Sequence, residues 1–65
     1  MKVREVIQML ESSGWKLVRT RGSHRQFRHP TKSGGVTVAG KSGLDVPIGT
    51  LKSILKQAGL EDKRP

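Results

Sequence analysis

Few side chains in this chain can carry proton chemistry near neutral pH. Its 65 residues include two histidines, no cysteine and no tyrosine. One of the two, His24, stands in the segment Arg21-Gly22-Ser23-His24-Arg25-Gln26-Phe27-Arg28, with guanidinium groups on both sides. An imidazole changes charge close to neutrality and can take a proton from a hydroxyl. In RNA that hydroxyl is the 2′-OH, which attacks the adjacent phosphate once its proton is removed. Arginines can hold the phosphate and offset the charge that builds on it in the transition state.

Other schemes find less support. His24 and His29 are five residues apart, so a regular strand sends them to opposite faces and they cannot share a metal. No Asp or Glu occurs between Glu11 and Asp45 to complete a metal site. Ser23 and His24 are neighbours whose side chains diverge, which does not make a nucleophile–base pair, and Ser23 reads more simply as a turn residue. No phosphate-cradling glycine loop follows a strand and opens a helix with the required lysine. What remains is metal-free, cofactor-free chemistry centred on one histidine. A lone surface histidine is more often merely solvated, so composition alone does not assign catalysis.

The charge distribution favours a polyanionic partner. Lys and Arg number 13 against 5 Asp and Glu, a formal net charge of +8. Residues 12–44 carry Lys16, Arg19, Arg21, Arg25, Arg28, Lys32 and Lys41 with no acid among them, while the two ends are nearly balanced. Such concentration suggests a surface that binds phosphates and releases their counterions. Trp15 and Phe27 are the only aromatics, too few for a platform that stacks successive bases. No purely apolar run exceeds two residues, which excludes a bilayer span and the apolar part of a secretion signal. The composition reads as one small, soluble, cytoplasmic domain over 1–65, without disulfide or cysteine–zinc support.

The elements that must position His24 follow from periodicity. Val3, Val6, Ile7 and Leu10 recur at helical spacing, and Ser12-Ser13-Gly14 ends that helix. Trp15–Thr20 reads as a strand, although Leu17 and Val18 side by side blur its alternation. Arg21-Gly22-Ser23 is a turn, His24–His29 a second strand anchored by Phe27, and Val36–Ala39 a third. Pro47 is placed to open a second helix whose stripe is Ile48, Leu51, Ile54, Leu55 and Ala58. Gly59-Leu60 suits a Schellman ending, and the polar tail 61–65 is expected to fray. The expected fold is α+β, αβββα, with two helices on one face of a three-stranded antiparallel sheet and the other face open. Double-stranded-RNA-binding domains share this order of elements. With Phe27 turned to the core, His24 faces outward beside Gln26 and Arg28. Phe27 reads as core, Trp15 as partly buried, and Lys52 and Lys56 as a solvated face.

Several segments together resemble the HicA family of bacterial toxins, RNA-cleaving proteins encoded beside a HicB antitoxin. They are the N-terminal amphipathic helix, Gly14-Trp15-Lys16-Leu17-Val18-Arg19, Gly22-Ser23-His24-x-x-Phe27 with Arg28-His29-Pro30, Val36-Thr37-Val38, and Gly49 through Leu60. The resemblance spans nearly the whole chain and implies the double-stranded-RNA-binding-like fold, a catalytic role for His24 and direct neutralisation by HicB. Many members carry a second histidine shortly after the third strand, where this chain reads Ala39-Gly40-Lys41-Ser42-Gly43. The proton for the leaving 5′-oxygen must then come from a water, Lys41 or the imidazolium of His24.

The expected function is that of a toxin: a metal-independent endoribonuclease of messenger RNA with His24 as base. Arg21, Ser23, Arg25, Arg28 and Lys41 are the candidates for binding RNA phosphates, Arg25 the weakest because alternation turns it away from His24. The alternative is a non-catalytic RNA-binding module of the double-stranded-RNA-binding type. A DNA-binding regulator ranks last, because the second helix offers lysines but no Arg or Asn aimed at base edges.

Overall fold

The computed structural model describes residues 1–60; the tail 61–65 and its expected fraying lie outside the described residues. The order is α1 (Val3–Ser12), β1 (Lys16–Arg21), β2 (His24–Arg28), β3 (Gly35–Ala39) and α2 (Ile48–Ala58). The strands form one antiparallel sheet in the order β1-β2-β3. This is the αβββα arrangement the periodicity predicts.

Both helices lay an apolar stripe on the same face of the sheet. Val3, Val6 and Leu10 of α1 and Ile54 and Ala58 of α2 are buried with Phe27, Val36 and Val38 of the strands. Burial of each large apolar side chain contributes about 1.5–3 kcal/mol relative to exposure. Ile48 departs from the expected stripe: it stands in the first turn of α2 and is 70% exposed, and burial of that stripe begins at Leu51. Pro47 precedes the first helical residue in extended conformation and accepts the Leu51 N–H through its carbonyl at 2.8 Å. At the other end Leu60 N–H closes onto the Leu55 carbonyl at 2.8 Å and Gly59 N–H onto Lys56 at 3.2 Å, the paired bonds of a Schellman ending.

Trp15 is buried completely rather than partly, with 1% exposure. It precedes β1 instead of opening it, because its N–H closes onto the Leu10 carbonyl at the end of α1 (3.0 Å) rather than joining the ladder. Gly14 makes that reversal with φ +93°, a conformation that favours glycine. The N-terminus of α1 is held both by its own first turn and by the loop after β3. Glu5 Oε1 accepts the Lys2 N–H at 2.8 Å, and the Leu44 and Ser42 carbonyls accept Val3 and Arg4 N–H at 2.9 and 3.1 Å. The loop after β3 thus satisfies donors that a helix start leaves free.

The blurred alternation at Leu17-Val18 is a β-bulge. Leu17 pairs with Phe27, but the next residue in register is Arg19, opposite Gln26. Val18 is the extra residue, 57% exposed. In an unbulged strand starting from the Lys16–Arg28 pair, Val18 and Thr20 would share the face of His24. The bulge sends Arg19 and Arg21 there instead.

Candidate active site

The face of the sheet turned away from the helices presents three cross-strand rows. Arg21, His24 and Ala39 form the first, Arg19, Gln26 and Thr37 the second, and Lys16, Arg28 and Gly35 the third. All nine residues are exposed. The first row lies at the β1–β2 hairpin, whose two-residue turn has Gly22 at φ +61° in its first central position. A positive φ there matches the twist of the flanking strands, and glycine adopts it without strain. Gly40 N–H donates to the Ser23 carbonyl at 3.1 Å, tying this turn to the end of β3.

Arg19, Arg21, His24 and Gln26 line an open depression of about 360 Å³. Among the described residues no hydrogen bond engages the His24 ring. Both ring nitrogens are therefore available to a ligand, with a guanidinium directly across the strand pair. The nine positions of this face include no carboxylate, so its preference is for anions. A phosphate diester lying in the depression would meet arginine forks from β1 and the imidazole from β2.

The structure brings together only part of the set expected from sequence. Arg21 is the cross-strand partner of His24. Arg28 shares the face two rows away, its Nε 3.8 Å from where a Cβ on Gly35 would stand, so its side chain reaches toward β3. Ser23 sits exposed in the turn, and Lys41 in the loop after β3. Arg25 pairs in register with the fully buried Val38 and so lies on the helix-facing side, where its Nη1 donates to the Gly40 carbonyl at 3.4 Å. Gly40 also holds the Ser23 carbonyl, which places Arg25 behind the turn rather than beside His24. Arg19 was not among the expected phosphate ligands. The adjacency of Leu17 and Val18 was the available signal, since one extra residue there reverses the facing of everything that follows.

His29 marks the contrast. Its Nδ1 accepts the Thr31 and Lys32 backbone N–H groups at 3.1 and 3.2 Å, which leaves the ring proton on Nε2, 3.1 Å from the Ser13 carbonyl. The ring stands edge-on to Trp15, with centroids 5.3 Å apart. Trp15 Nε1 is buried with no partner among the described residues. His29 is a structural joint.

A family model describing the HicA toxin of bacterial toxin–antitoxin systems matches residues 3–60. The chain belongs to the HicA toxin family. Among curated proteins no significant match was found. HicA toxins are generally mRNA interferases, and membership implies a HicB antitoxin as partner and RNA as target. Among the described residues no helix is long and apolar enough to cross a membrane.

Proposed function

We propose that this HicA-family toxin is an endoribonuclease of messenger RNA, with the His24 imidazole as general base. The observation that carries the reading is the first row of the open face: an exposed imidazole, unbonded among the described residues and paired across strands with Arg21. A neutral ring nitrogen takes the proton of a 2′-hydroxyl, and the 2′-oxygen attacks the adjacent phosphorus. The bond to the 5′-oxygen breaks, leaving a 2′,3′-cyclic phosphate and a 5′-hydroxyl. The proton for the leaving oxygen comes from the His24 imidazolium, a water or Lys41. Arg21 holds the phosphate and offsets its growing charge, and Arg19 stands one row along on the same face. Gln26 lies beside them as a neutral hydrogen-bonding group. Arg25 contributes by holding Gly40, and through it the turn.

The reaction needs no metal on this reading, because the face offers cations and an imidazole where a metal site would need carboxylates. A HicB antitoxin with acidic character would suit the same face and close the depression. The decisive experiment incubates the folded protein and its His24→Ala variant with a long RNA, each with and without EDTA. The expected result is EDTA-resistant cleavage by the native protein alone, ending in cyclic phosphate. Equal cutting by both would remove His24 from the mechanism. RNA binding without cutting by either would favour a binding module.

A further inference from the structure

The cations of the open face are not scattered. Lys16, Arg19 and Arg21 stand one per row along β1, all on the side of His24, because the bulge at Val18 turns the two arginines to that side. The β3 side of the same rows carries only Gly35, Thr37 and Ala39. The charge therefore runs mainly along the β1 edge of the face, and Arg28 of β2 adds a cation beside Lys16 in the third row. Successive rows are two residues apart on β2, or about 7 Å at the usual rise per residue. That is close to the reach between neighbouring phosphates on an extended single strand.

We infer that the substrate is single-stranded RNA lying lengthwise along β1, with the phosphate to be cut at Arg21 and His24 and the next two phosphates on one side at Arg19 and Lys16. The cut position rests on the nuclease reading above; the track itself does not.

A duplex would need a different surface. Duplex-binding domains of this element order contact two successive minor grooves and the phosphates between them, which takes cations spread over several elements. Here the exposed face of α1 mixes Arg4 with Glu5 and Glu11, and α2 opens on Ile48-Gly49-Thr50, its cations Lys52 and Lys56 standing further along the helix. The open face carries no aromatic side chain, since Trp15 and Phe27 are both 1% exposed. Bases therefore find no stacking platform, and the strand is held by its backbone with little regard to sequence. Gln26 and Thr37, neutral and adjacent in the middle row, are placed to meet sugar hydroxyls or base edges.

The test measures binding apart from cleavage. The full chain is titrated by fluorescence anisotropy with a 2′-O-methyl oligonucleotide of about eight nucleotides, single-stranded and as a duplex, at several salt concentrations. This probe lacks the attacking hydroxyl and cannot be cut. Arg19→Gln and Lys16→Gln are compared with Arg4→Gln on α1, after circular dichroism shows all three folded. The single strand should bind more tightly than the duplex. Each track variant should weaken it several-fold and reduce the salt slope by about 0.7, the value for one lost phosphate contact on a single strand. Arg4→Gln should leave the slope unchanged. Equal losses at Arg4 and Arg19, or tighter binding of the duplex, would overturn the track. A protein that binds along the track but does not cut unmodified RNA would sink the nuclease reading and keep this one. Cleavage with an unchanged slope in Arg19→Gln would do the reverse.

Discussion

The two ends of β2 each carry a histidine, and the protein treats them oppositely. At the turn, His24 is exposed, unbonded among the described residues and paired with an arginine. Just beyond the strand's other end, His29 engages both ring nitrogens in hydrogen bonds and packs against the buried Trp15. A ring whose nitrogens are all occupied joins segments: here the end of α1, the β2–β3 loop and, through Lys32, the end of α2, whose Ala58 carbonyl accepts Lys32 Nζ at 3.0 Å. A ring with free nitrogens is available to substrate. Identical side chains divide into a joint and a candidate base according to what their neighbours leave unsatisfied.

That division can be broken by mutation. The largest effect is expected for His24→Ala on RNA cleavage and growth inhibition, a loss on the order of 100-fold or more. Its free energy of unfolding should stay within about 0.5 kcal/mol of the native protein's. A large stability loss would erase the contrast between the two ends. His29→Ala should do the opposite, costing about 2–3 kcal/mol in urea unfolding, because it strands the part-buried Ser13 carbonyl and removes the ring packed edge-on to Trp15. The surviving folded fraction should cut RNA normally.

Gly14→Ala sharpens the same point at smaller cost. Its φ is +93° and an added Cβ would stand 2.8 Å from His29 Nε2. About 1–2 kcal/mol comes from the backbone conformation, and displacement of the ring adds to it. In a His29→Ala background only the backbone part should remain, which a double-mutant cycle measures. Lys32→Met removes a cation from the C-terminus of α2 and should cost about 0.5–1 kcal/mol by thermal unfolding. An increase in stability would show that the contact at Ala58 contributes nothing.

Much of this is legible in the sequence. Val3, Val6 and Leu10, then Leu51, Ile54 and Ala58, announce two amphipathic helices, and Phe27 as the lone apolar anchor of its strand forces His24 outward. The family resemblance rests on short segments whose order and spacing were readable, and the family match agrees with it. Other features were not legible. Ile48 belongs to an apolar stripe by spacing yet lies exposed, since periodicity cannot say where a helix meets its sheet. Trp15 reads as the first residue of a strand, but its N–H is taken by the end of α1. His29 looked like a strand residue, and its ring contacts with Ser13, Thr31 and Lys32 depend on loops whose course no local pattern reports.

By itself, the sequence determined the element order, the core anchors, the concentration of positive charge and the outward direction of His24. These depend on residue type and on spacing within one element. Tertiary structure decided the rest: that a bulge at Val18 turns Arg19 and Arg21 to the face of His24, that Arg25 turns behind the hairpin to Gly40, and that His29 is locked while His24 has no bond among the described residues. Those outcomes depend on cross-strand register and on contacts between distant segments. A single extra residue in a strand reverses the facing of everything after it; the adjacency of Leu17 and Val18 hints at one, and only the pairing partner fixes which residue is extra.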